Sequence, residues 1–117
     1  MTTLRIRNLI ITAPDMTGAL ADIAALSGQV SFQDGLRYAV IDPASMTLGV
    51  TLAAPDDHPA PGQVVLSAKA DHVKEAVDEL TTAGAEVLHG PEQGPHEVRS
   101  LVRLAGGLLL SVYGPEL

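Results

Sequence analysis

The 117-residue chain contains no cysteine, which excludes disulfides, thiolate metal sites and cysteine nucleophiles. Tryptophan is also missing, and the aromatic residues are Phe32, Tyr38 and Tyr113. Successive bases therefore have hardly any rings to stack on. Positive charge is scarce: seven basic residues face fourteen acidic ones, for a net charge of −7. That balance repels phosphate backbones and excludes nucleic acid as the expected partner. No apolar run reaches the roughly 18 residues that a membrane helix needs, so no membrane partner is expected. Met1-Thr2-Thr3-Leu4-Arg5 lacks the charged-then-apolar order of a signal peptide. Together with the missing cysteine, this makes the cytoplasm the expected location.

What is present points to one packed domain. Hydrophobic residues make up 46% of the chain, enough for a core in a domain of this length. Leu4 to Thr12 is rich in β-formers and predicts a strand. Asp15 can cap a helix whose apolar positions are Met16, Leu20, Ile23 and Leu26 or Ser27, with Gly28 as the stop. Three short strands follow, over 30–33, 36–41 and 47–53. Asp34-Gly35 marks a hairpin, and Asp42-Pro43 begins another turn.

Residues 54–62, APDDHPAPG, form a Pro/Gly-rich connector. After it the order repeats. A strand is expected over 63–68, then a helix capped by Asp71 and closed by Gly84, with Val73, Ala76, Val77, Leu80 and Ala83 on its apolar face. A short extended piece at 86–89, a Gly/Pro loop at 90–95, and strands at 98–104 and 108–113 complete the second half. Strand–helix–three strands thus occurs twice, in half-modules 1–53 and 63–117 of a single domain spanning 1–117.

In its second half the chain carries Gly84-Ala85-Glu86-Val87, then Gly90-Pro91, then a strand, a glycine turn and a last apolar strand. With strand 4–12, Asp15 and the helix after it, these motifs resemble the vicinal oxygen chelate superfamily, which includes glyoxalases, bleomycin-resistance proteins and dioxygenases. The family's usual turn before the last strand is replaced here by Leu104-Ala105-Gly106-Gly107. The resemblance implies an α+β fold of two βαβββ modules, the glyoxalase/bleomycin-resistance fold, with a curled mixed sheet that encloses a cup. It also implies a homodimer.

Metal-using members place ligands on the first and last strands of each half. By motif those positions fall on Asn8, Val50, Gln63 and Ser111. Amide, isopropyl and hydroxyl groups are poor ligands for a catalytic divalent ion, so no metal and no other cofactor is expected. Aligning Asp15 with Asp71 would pair Asn8 with Val64 instead. Gln63 is preferred because Val64 and Leu66 then face the helix, while Gln63, Val65 and Ser67 face the cup. The expected cup is mostly aliphatic, with Leu48, Val50 and Leu52 on its wall and a few neutral polar groups. That mixture suits a small organic ligand.

Tyr113 shares strand parity with Ser111 and is a candidate hydrogen-bond donor. Arg99 is a candidate for a ligand carboxylate or phosphate, and Tyr38 is the other phenol. His89, His96 and Glu97 flank the Gly/Pro loop and are candidates for acid–base work, with no assigned catalytic role. Two functions follow from these residues: metal-independent binding of a small organic molecule, as in resistance by sequestration, or a metal-independent lyase or isomerase.

Overall fold

We describe residues 3–25, 29–42 and 49–117 of a computed structural model of the protein. They fall into two compact units, Asn8–Val64 and Met1–Arg7 with Val65–Leu117. Each half is built as strand, helix and three strands, which gives an α+β fold of two βαβββ modules.

The first half contains β1 (Leu4–Thr12), α1 (Met16–Ala25), β2 (Gln29–Asp34), β3 (Tyr38–Asp42) and β4 (Gly49–Ala53). Its strands lie in the order β2-β3-β4-β1. β1 and β4 are parallel, and the other pairs are antiparallel. Asp34-Gly35 does make the hairpin, where Gly35 takes φ +53° and the Arg37 N–H bonds the Asp34 carbonyl at 3.0 Å. Ala13, Met16, Ala39, Ile41 and Leu52 form the core, with Leu20, Ile23 and Val50 against them. The stop at Gly28, the apolar positions Leu26 and Ser27, the Asp42-Pro43 turn after Asp42, and Leu48 lie outside the described residues.

The second half contains β5 (Val65–Ala70), α2 (Val73–Thr82), β6 (Glu86–Gln93), β7 (Val98–Arg103) and β8 (Leu109–Gly114). The order here is β5-β8-β7-β6, with β5 and β8 parallel. The core packs Val73, Ala76 and Val77 of α2 on Ala68, Ala70, Val98, Val102, Leu110 and Val112. Gly114 lies so close to β5 that a Cβ would meet the Ala70 carbonyl oxygen at 2.0 Å.

Several expectations need correction. Asp71 does not cap α2. The cap residue is His72, and no side-chain bond closes the turn. The free amides of Val73 and Lys74 instead donate to the Glu116 and Leu117 carbonyls, at 3.1 and 2.8 Å. The Gly90–Pro95 loop is replaced by a longer strand: β6 continues to Gln93 past two register shifts against β7. Gly90 makes this possible because its φ is +73° and a Cβ there would meet the Arg99 carbonyl oxygen. Gln63 and Val64 precede β5 and are exposed. Among the described residues, no helix is long and apolar enough to cross a membrane.

Candidate functional site

Alternation along a strand sends successive side chains to opposite faces. In the second half, Val98, Val102, Leu110 and Val112 face α2. The intervening residues, Arg99, Leu101, Arg103, Leu109, Ser111 and Tyr113, therefore share the other face. Strand pairing sets them in rows: Ser67, Ser111 and Leu101 in one, Lys69, Tyr113 and Arg99 in the next. The expectation that Val65 and Ser67 share a face while Leu66 packs with the helix holds.

Ser67 and Ser111 are 5% and 7% exposed, and neither hydroxyl has a hydrogen-bond partner among the described residues. Ser100, buried on the opposite face, shows the ordinary solution: its Oγ donates to the His89 carbonyl at 2.8 Å. A buried polar group without a partner costs about 1–3 kcal/mol, so two side by side mark a place where something else supplies the bonds.

Tyr113 is half-buried. Burial raises its pKa above the ordinary value, the nearby Arg7 charge lowers it, and Glu97 raises it. The phenol therefore stays protonated at neutral pH and can donate. Arg99 Nε donates to Glu97 Oε1 at 2.8 Å, in a partly buried pair.

In the first half, Val50 and Leu52 pack against the α1 core, which corrects their expected place in the cup. The error is one residue of register, and it inverts the face. Thr51, between them, takes the position instead, at 1% exposure. It pairs with Ile10 on one side and Val40 on the other. Asn8 and Tyr38 lie on this same face, opposite Gly49 and Ala53 respectively. Tyr38 meets Phe32 edge-on, with ring centroids 6.0 Å apart.

Thr51 was missed, yet the repeat contains the signal for it. The helices start at Met16 and Val73. Matching those two residues pairs Asn8 with Val65, rather than with Gln63 or Val64, and Ile10 with Ser67. Ile10 pairs with Thr51, and Ser67 pairs with Ser111. Thr51 and Ser111 are therefore equivalent positions in the two halves.

In this register the four positions are Asn8, Thr51, Val65 and Ser111, with Thr51 and Val65 replacing Val50 and Gln63, and they offer no imidazole, thiolate or carboxylate. No group of three or more His, Asp or Glu side chains among the described residues could hold a metal ion. The residues present do not fit the divalent ion used by metal-dependent members of the resembled superfamily.

The histidines have other duties. His58, buried in the connector, donates from Nε2 to the Ile10 carbonyl at 3.0 Å and accepts the Ala60 N–H on Nδ1 at 2.9 Å. His89 is exposed and bound to Glu92. His96 is exposed as well. An open groove along α2 is lined by charged side chains, among them Glu75, Asp78 and Glu79, and offers little apolar shelter.

This architecture is the glyoxalase fold. It resembles a glyoxalase/bleomycin resistance protein/dioxygenase superfamily member from Vibrio splendidus 12B01, with TM-score 0.67 and 12% identity over 96% of this chain and 99% of that one. It also resembles methylmalonyl-CoA epimerase from Mycobacterium tuberculosis, with TM-score 0.71 and 15% identity over 94% and 87%. An NAD-dependent benzaldehyde dehydrogenase from Legionella pneumophila superposes with TM-score 0.77 and 12% identity over 92% and 97%. No family model matches the chain. An uncharacterized protein of Mycolicibacterium smegmatis (strain ATCC 700084 / mc(2)155) is 30% identical over 110 residues, 94% of this chain and 93% of its own length. The chain belongs to the same family as that protein.

Proposed function

We propose that this protein binds a small organic molecule without a metal, on the sheet face of its second half opposite α2, and acts by sequestration in the cytoplasm. The observation that carries this reading is the adjacent pair of buried hydroxyls, Ser67 and Ser111, without a partner among the described residues. Leu101 and Leu109, themselves buried, are their apolar neighbours on the same face, and the half-buried Tyr113 supplies a donor. Neutral hydrogen-bonding groups on an apolar wall orient a ligand without chemistry of their own. The pairing of two copies implied by the resemblance belongs to this proposal, and light scattering tests it.

Binding of the neutral dye phenylnaphthylamine, followed by its fluorescence, tests the reading. Saturable binding that weakens in Ser67→Ala and Ser111→Ala, with the melting temperature unchanged, supports it. Absence of binding sinks it. So does a lowered melting temperature in both variants, which would show that the hydroxyls serve the fold.

A second reading, a metal-independent lyase or isomerase, draws on Glu97, whose partly buried carboxylate acts on Tyr113 and could take a proton. His89 is poorly suited, because it is exposed and occupied by Glu92.

A further inference from the structure

We propose that the ligand of this face is an organic anion: an apolar body carrying a carboxylate, sulfonate or phosphate. This deepens the binding reading above and rests on it. The argument starts from how the seven basic residues are distributed.

Two of them are neutralised by neighbouring acids. Arg37 bonds Asp57 at 2.9 Å and Lys74 bonds Asp78 at 3.0 Å. The other five, Arg5, Arg7, Lys69, Arg99 and Arg103, gather in the second unit. Lys69, Arg99 and Arg103 lie on the face opposite α2. Leu4 packs into the α2 core, so alternation places Arg5 and Arg7 away from that core. The Arg7 charge acts on Tyr113. Among the described residues, Arg5, Arg7, Lys69 and Arg103 have no ion pair, and Glu97 engages only Nε of Arg99.

Carboxylates are paired with the strand arginines of this face. Glu86 stands opposite Arg103 and Glu92 opposite Arg99, and Glu97 is the partner of Arg99. Glu92 is already bound to His89. Lys69, Arg99 and Arg103 match these three acids in number, so the positive excess of this unit away from α2 comes from Arg5 and Arg7, in a chain whose net charge is −7.

The row Lys69–Tyr113–Arg99 crosses three adjacent strands. Strand spacing puts the Lys69 and Arg99 backbones roughly 10 Å apart, a span their long side chains can close around one anionic group. Tyr113, protonated and half-buried, donates from the middle of the row. Leu101 and Leu109, buried on the same face, are the apolar neighbours of this row.

Two dyes that share one aromatic body separate the possibilities. Anilinonaphthalene sulfonate carries the charge, and phenylnaphthylamine is the neutral counterpart. The sulfonate is expected to bind about tenfold tighter, as a hydrogen-bonded charge pair would give. Arg99→Gln and Lys69→Gln are each expected to remove most of that advantage and leave the neutral dye unchanged. Glu97→Gln is expected to strengthen sulfonate binding, and Lys74→Gln on α2 to change nothing. Added salt weakens the sulfonate only. Equal binding of the two dyes overturns the anion proposal and leaves small-molecule binding standing. Sulfonate binding that is insensitive to both Arg99→Gln and Lys69→Gln also overturns it. Failure of both dyes to bind removes both readings.

Discussion

Helix α1 is entered through a side chain, and helix α2 through the distant backbone of Glu116 and Leu117. Asp15 Oδ1 accepts the Gly18 N–H at 3.0 Å, a local bond across three residues. In the second half Asp71 makes no such bond, and the carbonyls of Glu116 and Leu117 take the free amides. The same topology is therefore closed by two devices, one local and one distant. The faces opposite the helices differ as well. The first half's face carries Asn8, Ile10, Thr12, Tyr38 and Thr51 with the acid Asp34, whereas the second's carries Lys69, Arg99 and Arg103 among Glu86, Glu92 and Glu97. A repeated fold constrains where hydroxyls such as Thr51 and Ser111 fall. It leaves the surrounding charge free to diverge.

The largest expected effect lies where the second half is tightest. Gly114→Ala puts a methyl group against the Ala70 carbonyl oxygen, and the backbone must shift. A loss of about 3 kcal/mol is expected by urea denaturation. A near-neutral result would mean that β5 and β8 part easily.

Next comes the first half's connector. His58→Ala leaves the Ile10 carbonyl and the Ala60 N–H without their partner and opens a space where a buried ring stood. A loss of about 2 kcal/mol is expected, and His58→Gln should restore part of it.

The comparison of caps gives a smaller, paired effect. Asp15→Ala is expected to cost about 1 kcal/mol, whereas Asp71→Ala falls within about 0.5 kcal/mol of the parent. Deleting Glu116 and Leu117 should destabilise α2, seen as faster amide exchange at Val73 and Lys74. Equal costs for the two aspartates would contradict the distant cap.

The smallest effect is a titration. In Tyr38→Phe, Tyr113 is the sole phenol, and its ultraviolet absorbance should change at a pH above the ordinary value of about 10. Burial disfavours the phenolate, so the folded pKa lies above the unfolded one. The associated stability is present below about pH 10 and is lost as pH rises through the folded value. A midpoint at or below about 10 would show the ring to be solvated.

Much of the fold was legible because it is local chemistry repeated. The Asp34-Gly35 hairpin, the cap at Asp15, the apolar face of Val73, Ala76 and Val77, and strands β7 and β8 all depend on neighbours within a few residues. Of the candidate site, the shared face of the chosen residues was legible only in the second half. There Ser111, Tyr113 and Arg99 occupy one face as strand parity implies. In the first half, Val50 took the place that belongs to Thr51, because an apolar strand buried on both faces shows no alternation. Gln63 was misplaced because β5 starts two residues later, after a turn that composition alone does not bound.

The sequence by itself determined that this is a cysteine-free α+β chain of two βαβββ modules. Short-range periodicity and residue chemistry suffice for that. Only the tertiary structure decided which face each strand residue takes, that Glu116 and Leu117 cap α2, and that Ser67, Ser111, Tyr113, Lys69, Arg99 and Arg103 share one face. These depend on register between strands distant in the chain, and a shift of a single residue reverses the face.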